Sequence, residues 1–424
     1  MIKFLLKGIL GDKNRSLLPI IIISIGVMLT IFLSGYMRGA MGDMIEQNAR
    51  FQTGHVKVMS RVYAENESQM PNDLALLGVS EIQSQLEEDF PDVEWVDRIR
   101  FGGLLDVPDA NGETKGQGPS AGMALELFSK NTGEVQRLNM EQSIVRGEIP
   151  SKKGEALIGE DFATKLDISI GDRITFMGTT MNGSMTFADF VVSGTIRFGS
   201  AALDRGILII DISDARYMLD MEDAAGEIIG FLGEGLYVDE KATEIAQEFN
   251  EKYAGINDEF APLMLRLRDQ NNLDSYLEYV DGFASMFVTI FVLVMSIVLW
   301  NTGLLGGLRR YQEFGIRLAL GEEKGHIYRS LIYEAILIGI IGSIVGTTLG
   351  LLGTWYMQVV GIDITGMMQN STMLMPNVLR SKFTPELLYI GFIPGLVAMV
   401  LGNMLSGIGI YKRETATLFK ELEV

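Results

Sequence analysis

Two histidines, no cysteine and 54 carboxylates delimit the chemistry open to this chain of 424 residues. Without cysteine there is no thiol nucleophile, no disulfide and no acceptor for lipid attachment. His55 and His326 fall in segments that the topology below assigns to opposite sides of a membrane, so they cannot share a metal ion, and no metal site is expected. A phosphate-cradling P-loop needs G-x-x-x-x-G-K-[ST]; Gly321-Glu-Glu-Lys-Gly325 has glycines and a lysine in the wrong order. G-x-S-x-G, H-E-x-x-H and G-x-G-x-x-G motifs are absent too. With so many acids some pairs will sit close by chance, and spacing singles out none for acid–base work. No catalytic residue and no cofactor on this chain are expected.

What stands out instead is a chemistry of burial. Arg309 to Arg329 reads RRYQEFGIRLALGEEKGHIYR, a short basic amphipathic segment broken at Gly321, from which a helix runs directly into an apolar stretch. Phe314, Ile316, Leu318, Ala319 and Leu320 need cover from a partner protein or from the lipid interface, unless the segment is only a solvated connection. A second pattern is one of missing side chains. Gly342, Gly346 and Gly350, extended by Gly339 and Gly353, form a small-xxx-small ladder, and Gly391 with Gly395 forms another. Such ladders let helix backbones approach closely, within one bundle or across a subunit interface.

The elements that must position these residues are long apolar runs. Leu17 to Tyr36, Phe283 to Leu305, Leu331 to Trp355 and Leu387 to Ile410 each reach the roughly 20 residues that cross about 30 Å of hydrocarbon. We read four transmembrane helices in a one-plus-three arrangement. A signal peptide is the rival reading of the first run, but its core is long and Tyr36-Met37-Arg38-Gly39 is a poor cleavage site. Lys3, Lys7, Lys13 and Arg15, then Arg309, Arg310, Arg317, Lys324 and Arg329, then Lys412, Arg413 and Lys420 all fall on one side if the chain crosses four times. By the positive-inside bias both termini are cytoplasmic, with Arg380 and Lys382 on the wrong side. The expected order is a cytoplasmic amphipathic terminus (1–16), a first span (17–36), an extracytoplasmic domain (37–282), a second span (283–305) and a cytoplasmic segment (306–330). A third span (331–355), an outer loop (356–385), a fourth span (387–410) and a cytoplasmic tail (411–424) complete it. Thr384-Pro385-Glu386 supplies a capping hydroxyl and a first-turn proline for the last span, which Pro394 is expected to kink.

Charge separates the compartments. Met41 to Val280 holds roughly 43 acidic and 20 basic residues, a field that repels nucleic acid and anionic membrane surfaces. Met41, Met44, Ile45 and Ala49 continue the first span's helical spacing as a stalk, and Leu273, Leu277, Val280 and Ala284 suggest a matching stalk into the second span. Gly54 to Val58 alternates as a half-buried strand does. Between the stalks the pattern is mixed α and β. Leu74 to Leu86, Ser213 to Leu219 and Glu240 to Tyr253 read as helices, the second capped by Asp211. Glu94 to Leu104, Gly154 to Ile158, Arg173 to Phe176, Phe187 to Ile196 and Gly206 to Ile210 read as strands. Asp106 to Gly118 and Gly178 to Gly183 read as exposed loops.

Arg310, Glu313, Gly315, Arg317, Ala319 and Gly321 occupy the places of the coupling motif of the FtsX-like, or type VII, ATP-binding-cassette permeases, which this segment resembles. Gly147-Glu-Ile-Pro150, GEALIGEDFATKLDISIGDRITF and FVVSGTIRFGSAALDRGILIIDISDARYML resemble the MacB-like periplasmic core domain of those permeases, and IGIYKRETATLFKEL their closing segment. Gly54-His55-Val56 is similar to the lipoprotein-releasing permeases of the LolC and LolE type. The resemblance implies an inner-membrane permease: four helices with a large α+β periplasmic domain between the first and second, working by mechanotransmission. It implies two copies of a cytoplasmic ATPase carrying ATP and magnesium, and a second permease copy or paralogue. A lipoprotein or other hydrophobic cargo and a periplasmic carrier or adaptor would complete the set. ATPase coupling would fall to Arg310, Glu313, Phe314, Gly315, Arg317, Leu318, Ala319 and Gly321. Met41, Met44, Ile45, Phe51, Tyr276 and Tyr279 are candidates for cargo or lipid contact, or for stalk packing. MacB-like export of peptides or small hydrophobic molecules, and FtsX-like control of a cell-wall hydrolase, are the alternatives.

Overall fold

The computed structural model describes residues 13–109, 111–128, 133–199, 201–233, 237–270, 273–309, 316–363 and 378–412. Its contacts divide the chain into two compact units, one drawn from residues up to Gly42 with Leu277–Asp363 and Val378 onward, the other from Asp43–Tyr276.

The second unit is α+β. Its strands are β1 (Val56–Ser60), β2 (Leu76–Leu77), β3 (Val93–Pro108), β4 (Thr114–Leu125), β5 (Ile144–Gly147), β6 (Glu155–Gly159), β7 (Arg173–Thr179), β8 (Met185–Ile196), β9 (Ile207–Asp211), β10 (Ala224–Ala225), β11 (Glu227–Leu232) and β12 (Pro262–Arg266). The pairings β3–β4, β4–β9, β9–β6, β6–β8, β8–β7 and β7–β3 return on themselves and close a six-stranded barrel. Closure removes the exposed edges that a sheet this large would otherwise present. Alternate residues fill it: Phe101, Leu105, Ile158, Ile174, Phe176, Phe190, Val192, Leu208 and Ile210 belong to one buried core. β3 serves twice, because Val93 to Arg98 pairs with β11 and Leu104 to Asp106 with β7. β11, β1 and β12 continue as an antiparallel layer, and the helix Asp239–Tyr253 sends Ala242, Ala246 and Phe249 into the same core.

Three sequence expectations are corrected. Asp106 to Gly118 is not a loop: Asp106 pairs with Gln117 and Leu104 with Pro119 in a long hairpin, and only residues about Asp109 turn. The glycines that suggested a loop are there for space. A Cβ on Gly118 would stand 2.9 Å from Phe162 Cε2, so the bare backbone accommodates aromatic rings. The helix expected from Leu74 starts at Val79, after Gly78 in the left-handed region at φ 66°, because Leu76 and Leu77 pair with β10 instead. Lastly β1 is buried along its whole length; Lys57, whose charge suggested a solvent face, is sealed inside with Glu67 at 2.8 Å and Glu227 at 3.4 Å.

The first unit is helical. A helix runs Lys13–Asn48, continued by a π-helical turn Ala49–Thr53; others run Leu273–Arg309, Lys324–Val360 and Phe392–Lys412, the last preceded by Leu387–Ile390. Three of these, over Ser16–Thr53, Lys324–Val360 and Leu387–Gly407, are long and apolar enough to cross a membrane, while Leu273–Arg309 contributes the shorter apolar stretch Ser285–Asn301. The helix break at Gly391 lies one turn before Pro394, whose ring cannot tolerate the carbonyl four residues back. Thr384 does not cap this helix with its hydroxyl. Its carbonyl accepts from Leu387 N–H at 3.1 Å, and its hydroxyl accepts from Arg38 at 3.4 Å, beside the Arg38–Glu386 ion pair.

Candidate coupling segment and helix seam

The glycine ladder faces the first helix of its own chain. A Cβ on Gly342 would lie 2.9 Å from Ile23 Cβ, one on Gly346 2.6 Å from the Ser24 carbonyl oxygen, and one on Gly350 2.9 Å from Ile31 Cβ. From the other side a Cβ on Gly391 would meet Ile31 at 2.5 Å, and one on Gly395 would run into Val27 and stand 2.9 Å from the Ser343 hydroxyl. Ile23, Val27 and Ile31, four residues apart, are thus a buried stripe clasped by two glycine faces. Ser24 Oγ donates to the Gly342 carbonyl at 3.1 Å, a polar stitch that fixes register where the helices touch. Within one chain, both glycine faces are in use against this stripe.

Of the segment below, Arg310, Glu313, Phe314 and Gly315 lie outside the described residues. Residues 316–319 are helical and stop in a left-handed turn: Gly321 N–H donates to Leu318 O, Glu322 N–H donates to Arg317 O, both at 3.0 Å, and Gly321 has φ 88°. This double bond is a Schellman stop, and it needs a residue without Cβ at Gly321. The next helix then begins at Lys324 with Glu323 at its N-cap. Leu318 packs on the fully buried Ile327 together with Leu331. Ile316 and Leu320, by contrast, are 58% and 82% exposed. Ala319 is also exposed and Arg317 half-buried. Leu318 therefore holds the segment to its own helix, and the face offered outward is Ile316 and Leu320, which motif matching alone did not single out. The i, i+2, i+4 spacing cannot distinguish them on a helix of one turn.

The proposed cargo contacts divide. Met44 and Tyr279 are exposed, Met41 and Ile45 half-buried. Phe51 is not available: it stands edge-on to Phe198 at 4.9 Å inside a buried cluster of the α+β unit. The Tyr276 side chain lies outside the described residues. An apolar face was missed in the sequence. Odd-numbered residues of the first part of β8, from Met185 to Val191, point out of the barrel, and Met185 and Phe187 are 71% and 63% exposed; Phe187 sits opposite Met177, Met177 opposite Leu104, and Leu104 opposite Pro119.

Charge inside the α+β unit is paired. Arg98 and Glu134, both buried, meet at 2.8 Å, and Arg100 reaches Glu67 at 2.6 Å and also Glu227. Burial would push the Glu67 carboxyl up, but Lys57 and Arg100 outweigh it and hold it below the usual carboxylate range. None of these pairs lies open to a substrate. They join strands.

Apolar helices clasped through glycine, three of them long enough to cross a membrane among the described residues, with an α+β domain of more than 200 residues inserted after the first, define an integral membrane protein built around an inserted domain. The chain belongs to the permeases with a MacB-like periplasmic core domain, which matches residues 16–251, and an FtsX-like permease C-terminal region, which matches residues 285–415. It is 24% identical over 225 residues to "Lipoprotein-releasing system transmembrane protein LolC" of Xylella fastidiosa (strain Temecula1), covering 51% of this chain and 52% of that one. The same protein from strain 9a5c is 24% identical over 227 residues, with the same shares covered. The chain thus matches about half the length of these curated relatives. Among solved structures, the periplasmic region of MacB from Actinobacillus actinomycetemcomitans aligns with a TM-score of 0.36 at 8% identity, over 53% of this chain and 94% of that one.

Proposed function

We propose that this chain is the permease subunit of an ABC transporter that works by mechanotransmission and releases lipoproteins from the inner membrane toward a periplasmic carrier. In this reading the helix Leu273–Arg309 supplies a fourth span, both termini are cytoplasmic and the α+β unit is periplasmic. Two ATPase subunits holding ATP and magnesium seat the coupling segments of this chain and of a second copy or paralogue. Nucleotide-driven closure moves the helices, and the cargo is expelled without crossing the bilayer. The differential contacts between nucleotide-bound and free states supply the work. Cargo is assigned from the LolC relatives.

One observation carries the coupling role: Ile316 and Leu320 are apolar and exposed on a one-turn helix directly preceding the span-length helix Lys324–Val360. Exposed aliphatic side chains beside basic residues suit a groove on a partner better than water. Replacing Leu320 by glutamate should abolish stimulation of the partner ATPase while leaving thermal unfolding of the chain unchanged. Leu318→Glu should lose coupling too, but with a lowered melting temperature, because Leu318 packs on Ile327. Full ATPase stimulation in Leu320→Glu would sink this assignment. Co-purification from native membranes tests the cargo. A bound acylated protein supports lipoprotein release, a periplasmic adaptor the export reading, and a cell-wall hydrolase the regulatory one.

A further inference from the structure

The point where the helix Lys13–Asn48 gives way to the sheet is built around a buried imidazole. His55 is 1% exposed. Its Nδ1 accepts a hydrogen bond from Leu232 N–H at 2.9 Å, and its Nε2 lies 3.3 Å from Glu46 Oε2 on the last turns of the helix. A ring nitrogen that accepts from an amide carries no proton, so the single proton of the neutral ring is on Nε2 and donates to Glu46. Both imidazole nitrogens are thus used, one on each side of the joint. His55 N–H also donates to Gly230 O, and its carbonyl accepts from Leu267 N–H. The backbone of His55 belongs to the sheet while its side chain holds the helix.

The intervening backbone is of an unusual kind. Ala49–Thr53 is π-helical, with Gly54 N–H donating to Ala49 O at 2.8 Å, and Gly54 has φ 62°. A π turn holds one residue more than an α turn needs, and such single turns are frequent at functional sites. At the same place the side-chain oxygens of Gln47, Asn48 and Gln270 are buried and without a hydrogen-bond partner, so this arrangement does not exhaust the bonding the joint can make.

We propose that His55 is a proton-sensitive latch that fastens the exit turn of the first long helix to the sheet. A second proton can enter only at Nδ1, where it would point at the Leu232 N–H, donor against donor. The imidazolium must therefore give up that bond, and the π turn is the element able to move. The charged groups around the ring act in both directions. Glu46 favours the cation, and Arg50, 3.1 Å from the same carboxylate, competes for it. Over the Phe231 ring that meets His55 edge-on lie Arg137 and Arg98, whose charges are offset by Glu134 and Glu94. The Tyr237 ring lies 5.9 Å from the imidazole, and its hydroxyl donates to Asp239, which Arg266 and Arg268 neutralise.

The chain has only two histidines, so the full-length protein in lipid nanodiscs, labelled with ¹⁵N-histidine, gives two imidazole signals, with exposed His326 as internal reference. Near neutral pH one ring should report the Nε2–H tautomer, and His55→Asn should remove that signal. As the pH is lowered, protection of the Leu232 amide, taken relative to its intrinsic base-catalysed exchange, should be lost while that of matched amides of β9 is kept. His55→Asn keeps an acceptor near the Nδ1 position, so its Leu232 protection should be kept through the same acid range. Should His55→Asn fail to fold, the wild-type titration alone decides. An Nδ1–H or doubly protonated His55 at neutral pH, or its titration with Leu232 protection unaltered, overturns the proposal.

Discussion

Gly346 shows how little room the helix seam leaves. Its missing Cβ would press on the Ser24 backbone oxygen at 2.6 Å and on Val27 Cβ at 2.7 Å, and backbone cannot step aside as a flexible side chain can. Gly346→Val should lower the stability of the chain in detergent by about 2 kcal/mol through overpacking, read as a fall in thermal midpoint. Gly353→Ala, whose nearest neighbour is the Phe32 ring at 3.4 Å, should leave the midpoint unchanged. Equal effects at both positions would contradict the packing. A second residue-scale prediction follows from Glu67. Its carboxyl is held below the ordinary value of 4.5, so the folded state binds fewer protons there than the unfolded chain. Its contribution to stability is fully present above 4.5 and is lost as pH falls through the lowered value. The thermal midpoint of the full chain should therefore fall with acid over that range, and Glu67→Gln should flatten the dependence while lowering stability at neutral pH.

At the scale of elements, the turn at Gly321 matters more than the charges beside it. Among the described residues, its chain neighbours apart, no atom lies within 4 Å of a Cβ placed there, so the cost is in the backbone, at φ 88°. Gly321→Val should cost about 1 kcal/mol or more and misdirect the one-turn helix that displays Ile316 and Leu320. ATPase stimulation should fall with the α+β unit intact, as judged by unchanged near-ultraviolet dichroism. Retained stimulation would mean that the turn is only a connector. The β3–β4 hairpin teaches the complementary lesson about glycine. Gly118 ends a stretch that reads as a loop in the sequence, yet it and Gly122 lie in a strand where Phe162 and Phe101 occupy the space their side chains would take. A glycine made necessary by a distant ring leaves no local signature.

For the whole molecule, the acidic surplus belongs to the α+β unit, and Met185 and Phe187 form an exposed apolar face on its barrel. If the unit hands cargo to a carrier, that face is the place to look. Phe187→Ser should reduce capture of a periplasmic carrier roughly tenfold, as loss of an aromatic anchor does, without altering ATPase stimulation; undiminished capture would exclude the face. The apolar runs, the glycine spacing, the Asp211 cap and most strands were legible because each is a local pattern read at a period of 2 or 3.6. The sealed Lys57, the inward turn of Leu318 and the burial of Phe51 were not, since each depends on a partner remote in sequence.

The sequence by itself determined that the chain carries span-length apolar helices, an acidic mixed α and β insert, and an amphipathic segment resembling a permease's coupling region, because hydrophobicity, charge and turn chemistry act over a few residues. Only the tertiary structure decided that the insert closes into a barrel, that the glycine ladders clasp the Ile23–Val27–Ile31 stripe, and that Ile316 and Leu320 face outward. Those outcomes are set by which surfaces meet, and contact between residues hundreds of positions apart is a property of the folded chain.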